Sequence, residues 1–389
     1  MSKMSFRANY EKLLMTPGPT IVDERVRQAM ARPIVNPDLD MDFFDLYRDL
    51  CCRLGSLMGT NNDVLILSGE GLLGLESAVI SLVEPGDKVL CVANGHFGEG
   101  FGEFVQIAGG QPIYLSGPYD RILTSTDVEK VLQQHPDIRL ATIVHCETPS
   151  GLLNPVADLI EPLKERGILS IVDAVSSIGG ENVAADTWGI DVVLGASQKA
   201  LSAPPGLALI SISPRAWERM EKRRSPIRSY YLNLVKWRDM WLNNSVFPYT
   251  PSISDIYALD AAVDILTHEG LDNAINRHFR LAEATRNALR AAGLTIFPQP
   301  DAAANTVTAF CIPEGVDDES FRENLWQDHG VMLAGSWGKL ASKVWRIGHM
   351  GSGAHPENLL RFFAAFDAAA KQAGLPLATS TLTAFAAQL

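Results

Sequence analysis

The sequence lacks any long apolar run and any concentrated block of positive charge. No apolar stretch approaches the roughly 18 residues that a membrane-spanning helix needs. The chain carries 33 Lys and Arg residues against 45 Asp and Glu residues, which gives a formal net charge of −12. Its longest basic run is EKRR at 221–224. Because nucleic-acid backbones require a dense positive surface, we expect neither a nucleic-acid partner nor a membrane partner.

Cysteine is also scarce. The five cysteines are an odd number, and the adjacent Cys51 and Cys52 do not have the spacing of a metal site. We therefore expect neither a disulfide framework nor a bound metal. The first residues, MSKMSFRANYEKLL, lack the uninterrupted apolar segment of a secretory signal. These features favour a cytoplasmic protein with reduced thiols.

Between residue 62 and about residue 215, short apolar runs alternate with helical segments. Examples of the apolar runs are DVLIL, KVLCVA, LSIVDAV and DVVLGAS. This alternation predicts an α/β fold, with a mostly parallel sheet covered by helices on both faces. Ligands of such sheets bind beyond the carboxyl ends of the strands.

The length of 389 residues predicts more than one hydrophobic core. We divide the chain into an N-terminal segment at 1–20, a large domain at 21–255 and a smaller α+β domain at 256–389. A long helical stretch is predicted over about 253–292. The aromatic, irregular segment at 225–250 suits an interface or a lid. The last dozen residues, ATSTLTAFAAQL, have the composition of a poorly anchored tail.

The stretch DVLILSGEGLLGLESAVISLV, at 63–83, has the pattern of a strand, a glycine turn and a helix. Gly69, Gly71 and Gly74 match the dinucleotide-binding pattern G-x-G-x-x-G. A nicotinamide site also requires an acid at the end of the next strand, but KVLCVAN ends in Ala93 and Asn94. The glycine turn is therefore better interpreted as an anion site, since free backbone N–H groups and the helix dipole converge there.

Two residues follow neighbouring predicted strands and carry complementary chemistry. Asp173 ends the strand in ILSIVDAV, and Lys199 comes just after DVVLGAS. A lysine can form a Schiff base with a pyridine aldehyde, and an acid can keep the pyridine nitrogen protonated. Taken singly, Asp173 could be a strand-end cap and Lys199 a solvated surface lysine. Together they predict a site for vitamin B6 chemistry.

The surrounding motifs resemble the class V aminotransferases, which are fold type I pyridoxal-phosphate enzymes and include alanine– and serine–glyoxylate transaminases. The resemblance covers nearly the whole chain in order. The motifs are MTPGPT (15–20), VEPGDKVL (83–90), NGHFGEGF (94–101), HCETPSG (145–151), VDAVSSIGG (172–180), SQKALSAPPG (197–206) and KVWRIGHMG (343–351). It implies a fold type I transferase with a large domain and a smaller α+β domain.

The resemblance also implies roles for individual residues. Lys199 would be the catalytic Schiff-base lysine and proton shuttle, and Arg346 would clamp the substrate carboxylate, with a surface ion pair as its alternative. Gly18 would line the entrance with its neighbours in the N-terminal segment. The implied cofactor-binding residues are Asp173, Val175, Phe97, Thr148, Ser68, Gly69, Glu70, Gly71, Gln198 and Thr250. Thr250 would reach into the partner subunit's site, so the resemblance implies a homodimer or a homotetramer.

Glu70 departs from the phosphate-binding members, which carry a small hydroxyl residue at this position of the turn. A carboxylate about 4 Å from a phosphate is repelled by roughly 1 kcal/mol per charge pair in water and about 4 near a protein surface. Alternatively, Glu70 turns outward and only complements the positive end of the helix. The first interpretation resembles family members that transfer the amino group of unphosphorylated pyridoxamine to pyruvate.

Two further residues complicate that interpretation. Gln198 is typical of the phosphate-binding members, and Trp337 stands where the pyridoxamine-specific members would have an arginine. The leading hypothesis is a transaminase that uses pyridoxamine and pyruvate, with Glu70 and Trp337 among its substrate-binding residues. The alternative is a pyridoxal 5′-phosphate enzyme that uses alanine or serine with glyoxylate. The cofactor is accordingly pyridoxal 5′-phosphate, or unphosphorylated pyridoxal or pyridoxamine held at the same lysine.

The same fold also supports lyases and cysteine desulfurases. Those enzymes place a histidine over the ring and another before the lysine, where this chain has Phe97 and Gln198. They also carry a catalytic cysteine on a mobile loop, whereas Cys311 lies in a predicted strand. These differences favour transamination of small molecules.

Overall fold

The computed structural model describes residues 12–389, so residues 1–11 of the predicted N-terminal segment lie outside the described part. The strands are β1 Leu13–Met15, β2 Asp63–Ser68, β3 Lys88–Ala93, β4 Gln111–Ser116, β5 Leu140–Val144, β6 Cys146–Glu147, β7 Leu152–Leu153, β8 Leu169–Asp173, β9 Val192–Ala196, β10 Leu207–Ile212, β11 Val307–Cys311, β12 Val331–Leu333 and β13 Val344–Gly348. Cys311 thus lies in a strand, as predicted.

Helices connect most of these strands. They are α1 Glu24–Ala29, α2 Met41–Leu57, α3 Gly71–Leu82, α4 His96–Ile107, α5 Ser125–Gln134, α6 Val156–Glu165, α7 Ala185–Trp188, α8 Pro214–Glu221, α9 Leu234–Trp237, α10 Ile253–Glu269, α11 Leu271–Ala291, α12 Asp318–Gln327, α13 Pro356–Gln372 and α14 Thr381–Ala386. None of them, within residues 12–389, is long and apolar enough to cross a bilayer.

A seven-stranded sheet in the order β2-β10-β9-β8-β5-β3-β4 forms the centre of the fold. Strand β10 is antiparallel to both of its neighbours, and the other strands all run in one direction. The predicted mostly parallel α/β sheet is confirmed. Strands β2, β8 and β9 consequently bring the glycine turn, Asp173 and the residues before Lys199 to the same edge of the sheet.

Two large hydrophobic clusters lie in the described residues. The first surrounds the seven-stranded sheet and extends from Val26 to Ala274, so that α10 packs into it. The second joins the paired strands β11 and β13 to α11–α14 and includes Leu13 and Met15 of β1, which pairs with β12. The chain thus has more than one core, as its length predicts, while the domain bounds at 1–20, 21–255 and 256–389 stay a prediction.

The predicted helical stretch over 253–292 is confirmed, and another local prediction was wrong. The stretch consists of two helices, because Gly270 adopts φ +85° between α10 and α11, a conformation that strongly favours glycine. The C-terminal residues do not form a loose tail. Phe385 in α14 is completely buried, and its ring centroid lies 4.9 Å from that of Phe363 in α13.

The aromatic segment at 225–250 packs partly into the first core. Trp241 stacks on Phe247 at a centroid distance of 4.3 Å, and both rings contact Phe44 of α2. Tyr230 and Tyr231, in contrast, are about half exposed. The segment therefore has a buried half that anchors it and an exposed half that leaves it open to contacts.

The docking of α14 gives a testable prediction. We expect Phe385→Ala to lower the free energy of unfolding by about 3 kcal/mol or more, because it leaves a cavity in the second core. Leu389→Ala is the matched control in the same segment, since Leu389 is 60% exposed and should change stability by at most about 0.5 kcal/mol. Urea unfolding followed by near-UV circular dichroism measures both. Equal midpoints for the two variants would contradict the docking of α14.

Candidate active site

A cavity of about 200 Å³ opens at the carboxyl edge of the central sheet, where the sheet topology places ligands. It is lined by Gly18, Pro19, Glu70, Gly71, Leu72, Leu75, Phe97, Cys146, Thr148, Asp173, Val175, Ser176, Gln198, Lys199 and Trp337. We call this cavity the cleft. Most of the site residues predicted from the sequence therefore lie around one volume.

Lys199 lies in the cleft at the end of β9. Its Nζ donates a hydrogen bond to the carbonyl of Pro17 at 2.7 Å. The chain passes so close at Gly18 that a side chain there would overlap the lysine. Burial lowers the pKa of Lys199 to about 8, an effect that Arg346 reinforces and Asp173 opposes. A lysine with this pKa is partly unprotonated near neutral pH and can act as a nucleophile.

Asp173 ends strand β8 and is 5% exposed. Its Oδ1 accepts a hydrogen bond from the amide of Val175 at 2.8 Å. Burial raises the pKa of Asp173 to about 6, although that hydrogen bond and the nearby Lys199 both lower it. A buried carboxylate of this kind is stabilised by a cationic partner and suits a protonated ring nitrogen.

Aromatic side chains form one wall of the cleft. Phe97, in the first turn of α4, meets Trp337 edge to face at a centroid distance of 6.1 Å, and His96 meets Trp337 at the same distance. On another side, Val175 approaches Gly71 so closely that a Cβ at Gly71 would lie 3.1 Å from it. Phe97 and Val175 thus provide apolar surfaces suited to a flat ring.

Arg346 in β13 is 4% exposed and lies beside the cleft. Its Nε donates to the carbonyl of Gly335 at 2.7 Å, and its guanidinium lies 5.1 Å from the Trp337 ring centroid. Burial lowers the pKa of Arg346 to about 10. No acidic side chain within residues 12–389 forms an ion pair with it, which rules out the surface ion pair considered from the sequence. A buried cation without an acidic partner suits an anionic ligand.

Glu70 complements the start of α3 and also lies at the cleft, while its role toward a phosphate stays a prediction. It is the N-cap of α3, and its Oε1 accepts a hydrogen bond from the amide of Leu72 at 3.1 Å. It also lines the cleft. Gln198, which also lines the cleft, is neutral. It is 7% exposed, and its Oε1 has no hydrogen-bond partner in the described residues. The helix terminus that would attract an external anion already holds a carboxylate.

Four predicted site residues do not line the cleft. Ser68 ends β2 and Gly69 begins the glycine turn, where the Gly69 amide donates to the carbonyl of Gly206 at 2.7 Å. Arg346 reaches the site through Thr148, whose carbonyl accepts a hydrogen bond from its Nη1 at 3.4 Å. Thr250 is exposed and lies away from this cleft. Its role toward a second subunit stays a prediction.

Sequence analysis missed several residues of the site. Leu72, Leu75, Cys146 and Ser176 line the cleft. Glu147 is completely buried and accepts hydrogen bonds from the backbone of α4. An available signal for Glu147 was its charge within the apolar strand region LATIVHCE. In the described part of the chain, no group of three or more His, Cys, Asp or Glu side chains is placed to hold a metal ion.

Comparison with known proteins places this geometry among transaminases. The family model "Aminotransferase class-V" matches residues 40–347. An uncharacterized aminotransferase of Methanocaldococcus jannaschii is 37% identical over 95% of each chain. The pyridoxamine–pyruvate transaminase of Mesorhizobium japonicum is 34% identical over 94% of this chain and 93% of its own. The crystal structure of ureidoglycine–glyoxylate aminotransferase from Bacillus subtilis superimposes with a TM-score of 0.93, at 31% identity over 97% of each chain.

The lowered pKa of Lys199 predicts a pH profile. Because the pKa of Lys199 is about 8, its amine is mostly protonated at lower pH. The rate of its condensation with pyridoxal should therefore rise about tenfold per pH unit below pH 8 and level off above it. An ordinary lysine, with a pKa of 10.5, would keep accelerating through that range. Stopped-flow absorbance of the ligand-free protein measures the rate, with Lys199→Ala as the control. A rate that still rises steeply at pH 10 would contradict the assigned environment.

Proposed function

This chain belongs to the class V aminotransferases, and from that premise we propose that it transfers the amino group of pyridoxamine to pyruvate, giving pyridoxal and L-alanine. Its activity as a transaminase of small molecules follows from the family. The choice of substrates is the proposal. The observation that carries it is the carboxylate of Glu70 at the N-terminus of α3.

Class V aminotransferases of fold type I use pyridoxal 5′-phosphate, and the cleft fits the B6 ring of that group. Lys199 and Asp173 provide a nucleophilic amine and a buried carboxylate, while Phe97 and Val175 provide flat apolar surfaces. When bound, the ring withdraws electrons from the carbon that carries the amino group. Thr148 would donate its hydroxyl to the phenolic oxygen of the ring.

Lys199 and Asp173 would carry out the remaining steps. Lys199 would condense with the aldehyde with loss of water. Once a substrate amine has displaced it, the freed amine would move a proton at the amino-bearing carbon, which its lowered pKa allows near neutral pH. Asp173 would hold a proton on the ring nitrogen. The pKa of its carboxyl, already raised by burial, would fall again beside a pyridinium cation, so that the pair is stable in the low-dielectric cleft.

Glu70 would select the ring without its phosphate. The amide of Leu72, which a phosphate would need at this helix terminus, is already bonded to the Glu70 carboxylate. A dianionic phosphate would also be repelled, by about 4 kcal/mol per charge pair at ~4 Å near a protein surface. An unphosphorylated ring carries an alcohol instead, which can donate a hydrogen bond to Glu70 and accept one from Gln198.

Arg346 and Trp337 would define the acceptor. The buried guanidinium of Arg346 suits the single carboxylate of a 2-oxo acid. Among the residues that line the cleft within 12–389, Lys199 is the one cation, so a second carboxylate would stay unpaired. The indole of Trp337 adds an apolar wall, which favours a short side chain such as the methyl group of pyruvate.

A second candidate function is a pyridoxal 5′-phosphate enzyme that uses alanine or serine with glyoxylate. Gln198 favours it, because a glutamine before the lysine is typical of phosphate-binding members. The ureidoglycine–glyoxylate relative also favours it. In this alternative, Glu70 would have to turn away from the cleft.

We extend the proposal to assembly as a homodimer or homotetramer. Thr250 would then complete the site of the partner subunit, as the family resemblance implies. The exposed Tyr230 and Tyr231, which lie on the same aromatic segment, support this arrangement because exposed aromatic side chains are typical of interfaces.

Replacing the selecting carboxylate tests the proposal. We expect Glu70→Ser to improve the affinity for pyridoxal 5′-phosphate relative to pyridoxal about tenfold or more, since it removes a repulsion of at least about 1 kcal/mol per charge pair. Titration of the ligand-free protein by absorbance measures both affinities. Glu76→Ser, on the same helix but away from the cleft, is the matched control. An unchanged affinity ratio would show that Glu70 does not select the ring.

Half-reactions identify the substrates directly. Pyridoxamine, alanine and serine are compared as donors, with pyruvate and glyoxylate as acceptors, and formation of the keto or aldehyde product is followed. We expect pyridoxamine with pyruvate to turn over fastest and Lys199→Ala to abolish turnover with every pair. Tightly bound phosphorylated cofactor in the purified protein, with no consumption of pyridoxamine, would favour the second candidate and overturn the first.

A further inference from the structure

Glu147 is a buried charge with an uncommon set of partners. Its side chain is completely buried and forms no ion pair within residues 12–389. Its Oε1 accepts the amide of Gly98 at 2.6 Å, and its Oε2 accepts the amide of Phe97 at 3.1 Å. Both oxygens of one carboxylate are therefore occupied by consecutive amides in the first turn of α4.

These contacts make Glu147 the cap of a distant helix. The residue before α4 is Gly95, which has no side chain to cap the exposed amides. Other helices are capped locally, α2 by Asp40 and α5 by Thr124. A local cap would suffice to begin a helix, whereas a cap from β6 also ties α4 to the β6–β7 pair, which follows strand β5 of the central sheet.

The surrounding glycines fit this arrangement. A Cβ at Gly95 would overlap the Glu147 carboxylate, and one at Gly98 would overlap the carbonyl of Val92 and lie 3.3 Å from Glu147 Oε1. The pattern N-G-H-F-G at 94–98 thus leaves space for a carboxylate from another strand.

The backbone of Glu147 is held as firmly as its side chain. Glu147 pairs with Leu152 across β6 and β7, and its carbonyl accepts the amide of Gly151 at 2.8 Å. The next residue is Thr148, which lines the cleft. Glu147 therefore connects two elements of the site. Its side chain binds the helix that carries Phe97, and its backbone belongs to the turn that carries Thr148.

We propose that Glu147 is a positioning residue, which fixes Phe97 and Thr148 relative to each other so that a B6 ring is held between a stacking surface and a hydroxyl donor. This inference rests on the proposed function, because it requires that such a ring binds in the cleft. Glu147 itself need not touch the ring. Its effect passes through the two amides that it holds.

The electrostatics agree with this role. The pKa of Glu147 is raised to about 7, mainly by burial and also by Asp173 and Glu99, although the amides of Gly98 and Phe97 oppose this shift. A fully buried carboxylate without a cationic partner is costly to maintain. The two amides and the positive end of the α4 dipole are what stabilise it. An amide side chain of the same size could accept from one of the two N–H groups and would direct its own NH₂ group at the other.

The test compares Glu147→Gln with Asp191→Asn in the full-length protein. Asp191 is the matched control, because it is also a buried carboxylate that accepts a backbone amide, that of Ser170 at 3.0 Å. It precedes β9 and so lies at the opposite edge of the sheet from the cleft. Three quantities are measured for each variant: the thermal midpoint, the affinity of the ligand-free protein for pyridoxal, and the induced circular dichroism of the bound ring.

We expect both variants to lose thermal stability, but only Glu147→Gln to weaken pyridoxal binding, by about tenfold, and to reduce the induced dichroism. A double mutant gives an independent readout. If Glu147 acts through Phe97, then Glu147→Gln in a Phe97→Leu background should weaken binding by less than it does in the wild type. Glu147→Asp, which keeps the charge but shortens its reach, serves as the second variant should the glutamine protein not fold, and should also weaken binding.

The outcomes separate this inference from the proposed function. If the wild type binds pyridoxal and the Glu147 variants bind it as tightly as Asp191→Asn does, Glu147 is a structural cap and the positioning role is overturned. Fully additive effects with Phe97→Leu would overturn it as well. If the wild type and Asp191→Asn bind no B6 ring, the proposed function itself fails, and the positioning role fails with it.

Discussion

The attraction between the amine of Lys199 and the carboxylate of Asp173 is the interaction on which the proposed chemistry depends. Both groups are held by burial away from their ordinary pKa values, the lysine lowered and the acid raised, and each partly offsets the shift of the other. In water, the lysine would stay protonated and could not act as a nucleophile, and the acid would interact too weakly to keep a ring nitrogen protonated. The parallel strands β8 and β9 are what bring the two together, because both end at one edge of the sheet.

In the proposed function, the other charges around this pair select the ligand. Glu70 places a negative charge at a helix terminus that would otherwise attract anions, and Arg346 keeps a buried positive charge without an acidic partner. In the proposed function, the carboxylate in the cleft disfavours an anion near Glu70, and the guanidinium beside the cleft favours one near Arg346. An electrically asymmetric cleft of this kind can distinguish ligands that share the same aromatic ring, since the difference lies in their charged substituents.

The sequence predicted the parts of the structure that depend on local pattern. Alternating apolar runs identified the strands, and the positions of Asp173 and Lys199 after two of them placed both at one edge. Features that depend on contacts between distant segments were missed. Glu147 caps a helix 50 residues earlier in the chain, and Phe385 docks on Phe363 although its own segment is rich in small and polar residues. In both cases the stabilising partner is supplied by tertiary packing, which propensity and periodicity do not encode.

The most direct test of the central claim is to identify the lysine to which the ring is covalently bound. The protein is incubated with pyridoxal, reduced with borohydride, digested and analysed by mass spectrometry. The account predicts that the label lies on the peptide containing Lys199, and that Asp173→Asn reduces its yield without moving it. A label found mainly on another lysine, with Lys199 unmodified, would contradict the account.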